Sequence, residues 1–119
     1  MIFKPELAAK VLDGRKTITR RRINPNGVRY HSGRWYKVQP GRGKFHVCHI
    51  FVTAVHTQTL GAVSDADAAR EGFPVSRLDF IDYWKRINGG FDPDERIAVI
   101  EWSREMTYTE DCCAELEAR

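Results

Sequence analysis

The chain has 119 residues, the usual size of one domain, and a chain of that length buries roughly two thirds of its unfolded surface on folding, enough for a core without staples. Its hydrophobic fraction of 42% and charged fraction of 29% are those of an ordinary globular protein, with no run near the ~20 apolar residues of a membrane span. Cys48 stands alone and Cys112 adjoins Cys113, which makes no disulfide framework, and Met-Ile-Phe-Lys-Pro-Glu lacks the features of an export signal, so a reduced, cytoplasmic protein is expected.

Pro5 suits the first turn of a helix over residues 6–13, with Leu7, Val11 and Leu12 near one face and Gly14 ending it. Next comes Arg15-Lys16-Thr17-Ile18-Thr19-Arg20-Arg21-Arg22, whose β-branched centre favours an extended segment while its charges forbid full burial. The turn formers Asn24-Pro25-Asn26-Gly27 and Pro40-Gly41-Arg42-Gly43 flank a strand over Arg34 to Gln39. Phe45 to Val55, apolar on both alternating faces, is the expected central strand. Ser64-Asp65-Ala66-Asp67 has capping-box spacing for a short helix ending at Glu71, before Gly72. Ser76 repeats the cap signal, and Phe80, Ile81, Trp84 and Ile87 form the stripe of a further helix ending at Asn88-Gly89-Gly90. Arg96 to Trp102 alternates as a last strand. Residues 1–104 thus read as one domain and 105–119 as an acidic tail without chemistry of its own. The interleaving predicts an α+β domain with a mostly antiparallel sheet, open or curled into a barrel.

The net charge of +3 conceals an asymmetry. Residues 1–49 hold twelve Lys or Arg against Glu6 and Asp13, whereas residues 50–119 hold seven against fourteen acids. Either the basic half gathers into a face for phosphates, or folding disperses it into a salt-bridged surface.

Candidate chemistry concentrates where Lys16 precedes Thr19 amid arginines. Neighbouring cations disfavour a charged lysine, so Lys16 could act as a base toward the Thr19 hydroxyl, provided a turn or bulge brings the two together. The alternative is a basic strand that only grips phosphate. Glu71, at the negative end of a helix dipole, has either the setting of a general acid or that of a solvated helix-end carboxylate. Tyr30, Trp35 and Tyr36 lie among Arg29, Arg34 and Lys37, which suits base stacking or barrel core. Arg42 and Lys44 flank glycines in a flexible basic loop. His46, Cys48 and His49 lack a second ligand pair, so no metal is expected and Cys48 is assigned to the core. Trp84 and Trp102 are assigned to the core as well.

Phe3-Lys4-Pro5-Glu6 and Gly14-Arg15-Lys16-Thr17-Ile18-Thr19-Arg20-Arg21 resemble the opening of ASCH domains, whose hallmark is Gly-x-Lys-x-x-Glu-x-Arg; Gly14, Lys16 and Arg21 match. Ser64 to Phe73 resembles the family's short helix, and Tyr83-Trp84 with Phe91-Asp92-Pro93-Asp94 its closing segment. The resemblance implies a PUA-like small β-barrel with flanking short helices and a cleft suited to RNA or a modified nucleoside. Thr19 stands where the hallmark has glutamate, as in the family's small bacterial N(4)-acetylcytidine amidohydrolases. By that likeness Lys16, Thr19 and Glu71 form the catalytic set, with Lys16 activating Thr19 toward the acetyl carbonyl and Glu71 protonating the departing amine. Arg15, Arg21, Arg22, Arg34, Arg42, Lys44 and Tyr30 are the candidate RNA or substrate contacts, and no cofactor is implied. Other members of the family suggest a non-catalytic RNA-binding module or a ribonuclease acting on single-stranded RNA.

Overall fold

Pro5 opens the first helix, α1 (Pro5–Leu12), which buries Leu7, Ala8 and Val11. Gly14 then turns the chain at φ +84°, a left-handed conformation natural to glycine. In this computed structural model residues 1–74 and 76–103 are described, with the backbone of 108–109. The remaining elements are β1 (Ile18–Arg22), β2 (Arg34–Val38), β3 (Cys48–Thr59), α2 (Asp65–Arg70), α3 (Arg77–Asn88), β4 (Arg96–Trp102) and β5 (Tyr108–Thr109).

The central strand therefore begins three residues later and runs four residues further than its apolar pattern indicates, because its second half pairs with β4 across polar positions up to Thr59. The short β5 pairs with Cys48 and His49 of β3 and falls within the segment expected to be an unpatterned tail. The rest of that tail lies outside the described residues. At α2 the capping box forms as its spacing suggests: Asp67 N–H donates to Ser64 Oγ at 3.1 Å, and Ser64 N–H to Asp67 Oδ2 at 3.2 Å. Ser76 precedes α3 but makes no side-chain cap; Asp65 instead accepts from Arg77 N–H at 2.9 Å, tying the two helices together.

The sheet order is β1-β4-β3-β2, antiparallel at every step. Its outer strands converge on the N-terminal residues. Ile2 bridges to Gln39 just beyond β2, and Arg21 on β1 donates to the Ile2 carbonyl at 2.8 Å. The fold is thus α+β, with a curled antiparallel sheet and short helices.

Each face of the sheet carries its own core. Phe3, Leu7, Val11, Val38, Ile50, Val52 and Ile100 pack between α1 and one face. Ile18, Leu60, Ala68, Phe80, Trp84, Ile97 and Val99 pack between the other face and α2 and α3. A fully buried aliphatic or aromatic side chain contributes about 1.5–3 kcal/mol, against about 0–1 kcal/mol for an exposed ion pair, so these clusters and not the surface charges hold the sheet. In β1, Thr19 lies opposite Ile100 and Arg21 opposite Ala98, while Arg20 lies opposite Val99. Thr19 and Arg21 therefore share the α1 face, and Arg20 the face under α2 and α3. In β3 a register shift between Val52 and Ala54 lets Thr53 swap the alternation. Cys48, Ile50 and Val52 point to the α1 face, but Gln58, opposite Ile97, comes round to the Arg20 side.

Candidate active site

Among the described residues four polar or charged side chains are buried, namely Lys16, Thr19, Arg20 and Glu71, and all four line one cavity of about 410 Å³. Buried charges persist only when paired and hydrogen-bonded, so their placement is costly and specific.

Lys16 lies just before β1, where the chain has left Gly14 and is tied down on both sides: Lys16 N–H donates to Lys10 O at 3.0 Å and Thr17 N–H to Arg70 O at 2.9 Å. Its ammonium donates to Glu71 Oε2 at 2.8 Å, Glu71 O at 2.9 Å and Ile18 O at 2.9 Å. Three acceptors match the three N–H donors of the charged form. Burial nevertheless pushes the Lys16 pKa below the ordinary lysine value; Glu71 opposes that shift, and the Arg21 and Arg20 charges reinforce it. The downward direction prevails because lost hydration outweighs one carboxylate partner.

Glu71 is the residue after the last turn of α2, and its carboxylate is buried, not solvated. Gly72 follows at φ +103°, and a Cβ there would meet Lys10 Cδ at 3.1 Å, so only glycine lets the chain turn away so close to α1. Glu71 Oε1 accepts from Arg20 Nη1 at 3.2 Å. Arg20 is fixed in turn by Gln58 Oε1, at 2.9 Å from Nε and 2.7 Å from Nη2, and by Asp67 at 3.2 Å. One carboxylate thus bridges the lysine before the strand and the arginine on the strand's helix-covered face.

Thr19 reaches the cavity from the opposite face of β1. Its Oγ1 accepts a long 3.4 Å hydrogen bond from Arg21 Nε, and among the described residues no hydrogen bond joins it to Lys16. The structure brings Lys16, Thr19 and Glu71 to one cavity, with the amine turned toward Glu71. Arg21 lies across the Phe3 ring with its guanidinium carbon 4.8 Å from the centroid. Burial lowers its pKa, against the pull of Tyr30, Glu71 and Tyr83, though a guanidinium keeps its proton.

The other candidates divide. Arg22 lines the cavity but also pairs with Glu95 at 3.1 Å. Tyr30 is half-buried, edge-on to Tyr36 at 5.0 Å, and lines a neighbouring cavity of about 210 Å³. Arg15 turns outward to Asp13, which raises its pKa, and Arg34 is exposed on β2; neither lines these two cavities. Arg42 and Lys44 are exposed beyond Pro40 and Gly41, which themselves lie on the rim of the larger cavity. Charge dispersal therefore operates in part: Glu71, Asp67 and Glu95 of the acidic half meet Lys16, Arg20 and Arg22 of the basic half.

Arg20 and Gln58 are the site residues that sequence reasoning missed. Arg20 sits within the basic motif, but its role depends on strand phase, and that of Gln58 on a bulge that composition does not announce. Tyr83, another lining residue, has its pKa raised chiefly by burial. Among the described residues no group of three or more His, Cys, Asp or Glu side chains could hold a metal ion. No described helix is long and apolar enough to cross a membrane.

The family model for the ASCH domain matches residues 1–105. The fold is similar to solved structures of a protein from Enterococcus faecalis V583 (TM-score 0.66, 20% identity, 88% of this chain and 73% of that one) and of an ASCH domain from Lactobacillus crispatus JV V101 (TM-score 0.62, 21% identity, 82% and 69%). It is similar as well to an ASCH protein from Zymomonas mobilis (TM-score 0.61, 19% identity, 100% and 78%). At these identities the likeness concerns the fold. No curated protein matches the sequence.

Proposed function

This chain belongs to the ASCH domain family, and from that premise we propose that it is an amidohydrolase removing the acyl group from N(4)-acetylcytidine-type substrates. The observation that carries this reading is the convergence of the four buried polar side chains on one cavity. Its volume of about 410 Å³ falls in the range of small-molecule sites, and Phe3, Leu7, Phe80 and Trp84 supply apolar wall for a base.

The 2.8 Å Lys16–Glu71 contact is a proton path. Moving one proton along it converts ammonium and carboxylate into a neutral amine and a carboxylic acid, and the burial that lowers Lys16 eases the loss of the ammonium proton. A neutral amine has two N–H donors for three acceptors, so one contact opens and the lone pair becomes available. Lys16 then takes the Thr19 proton as Oγ1 attacks the acyl carbon, and Arg21, with donors to spare beside Thr19, steadies the oxyanion. The C–N bond breaks as Glu71 returns its proton to the leaving amine, which restores the ion pair and leaves an acyl ester on Thr19. In the second half Glu71 accepts a proton from water, the hydroxide displaces Thr19, and Lys16 reprotonates the departing alkoxide. Acetic acid leaves and ionises to acetate in water, and the proton recrosses the pair from Glu71 to Lys16.

Purified protein incubated with N(4)-acetylcytidine should release acetate and cytidine in equal amounts, and Thr19→Val, which keeps the side-chain shape, should slow release by about 10²–10⁴-fold. An inactive pure protein would overturn the proposal. RNA cleavage that disappears with Lys16 would instead support a ribonuclease, and salt-sensitive RNA binding without turnover a binding module.

A further inference from the structure

We propose that the smaller cavity beside the active site is a phosphate subsite, and that the unit this protein acts on is a nucleotide, free or within RNA, in preference to a bare nucleoside. The identity of the base rests on the amidohydrolase reading; the subsite rests on the residues that follow.

The two cavities share Arg21 and Arg22 as a common wall. Beyond that wall the smaller one, about 210 Å³, is bounded by the Asn24–Gly27 turn, Arg29 and Tyr30. Three arginines therefore line a small space adjoining the cavity that holds Thr19. Among the described residues Arg29 makes no ion pair and Arg21 has no carboxylate partner in hydrogen-bonding reach. Two of the five N–H donors of Arg21 are engaged, one by Ile2 O and one by Thr19 Oγ1. Only Arg22 is matched, by contacts to Glu95 of 3.1 and 3.4 Å that leave it half exposed. The excess is felt nearby: the Met1 amine is lowered first by burial and then by repulsion from Arg21 and Arg29.

A guanidinium partly withdrawn from water without a counter-charge is unfavourable, and an anion restores the balance. Planar forks that donate in pairs suit phosphate oxygens better than a single carboxylate, and three of them suit a group carrying about 1.5–2 negative charges. In a nucleotide the base, sugar and phosphate follow one another in a line. A base held against Thr19 in the larger cavity directs its sugar toward Arg21 and its phosphate toward Arg29, with the Tyr30 phenol at the sugar's edge.

The test compares N(4)-acetylcytidine, its 5′- and 3′-monophosphates, and a short oligonucleotide carrying the modified base internally, using the full chain and Arg29→Gln. At least one phosphorylated form is expected to exceed the nucleoside in kcat/KM by about tenfold, the worth of one charge-assisted hydrogen bond. Arg29→Gln should erase that advantage while leaving the nucleoside rate unchanged. Preference for the monophosphates assigns a free nucleotide; preference for the oligonucleotide assigns RNA. Equal kcat/KM for all forms, or an equal loss on every form in the variant, would overturn the subsite and leave the amidohydrolase reading intact. Should nothing turn over, calorimetry with cytidine and its monophosphates decides the subsite alone: tighter binding of a monophosphate that Arg29→Gln removes supports it, and equal binding refutes it.

Discussion

Residues 15–22 and residues 29–44 each carry five Lys or Arg and no acidic residue, and they meet opposite fates. The first stretch forms the edge strand β1, whose two faces are both covered, so Lys16 and Arg20 are withdrawn from water and held by Glu71, Gln58 and Asp67. The second contributes only β2 between turns, and Arg34, Arg42 and Lys44 remain exposed away from both cavities. Positive charge enters chemistry where packing removes its hydration and dictates its partners; left in water it contributes long-range attraction alone.

The largest effect should come from cutting the buried pair. Glu71→Gln is expected to abolish acetate release and to cost about 3–5 kcal/mol in denaturant unfolding, because Lys16 and Arg20 are left buried against an amide. The paired replacement Lys16→Met with Glu71→Met should recover much of that stability without activity, since an apolar pair avoids the desolvation cost. A double variant no more stable than Glu71→Gln would mean the pair matters less than its packing.

Thr19→Val comes next: activity should drop by about 10²–10⁴-fold while the melting temperature stays within a few degrees, which separates chemistry from folding. Thr19→Ser, retaining the hydroxyl, should keep part of the rate.

A pH series gives a smaller, signed effect. Because Lys16 is lowered in the folded state, its charge is a stability cost at acidic and neutral pH that is relieved as pH rises through the folded value toward 10.5. Stability should therefore rise with pH across that window in the native protein and lose this component in Lys16→Met, and the rate should gain a basic limb lying below 10.5. A limb at or above the ordinary lysine value would remove Lys16 from its role as base.

Neutralising Arg34, Arg42 or Lys44 should change least. The nucleoside rate is expected to be unaltered, and any RNA affinity should lose about 0.7 in its log–log salt slope for each phosphate contact removed. A loss of nucleoside turnover in these variants would dissolve the contrast between the two stretches.

The helices and their ends were legible because each has a local cause. Pro5, the Ser64–Asp67 box and Gly89 act within one turn, and the Phe80, Ile81, Trp84 stripe is a periodicity. The α+β class followed from the order of those elements, and the resemblance drew attention to Lys16, Thr19 and Glu71 together. What escaped depends on contacts between distant segments. The curl of the sheet rests on Ile2 meeting Gln39, β5 rests on pairing that two residues cannot advertise, and Arg20 becomes a positioning residue only once Gln58 and Glu71 arrive beside it. Spacing alone places Ile87 in the apolar stripe, yet it is 46% exposed and borders the cavity mouth, since the stripe outruns the sheet beneath it.

The supernumerary residue Thr53 acts as a phase switch for everything downstream of it in β3. Were the strand to run on regularly with every residue kept, the six-position step from Val52 would turn Gln58 to the α1 side and strip Arg20 of the acceptor for two of its donors. Deleting Thr53 should consequently be tolerated, because Val52 and Gln58 then lie five positions apart and reach opposite faces by plain alternation, and replacements of its exposed side chain should matter little.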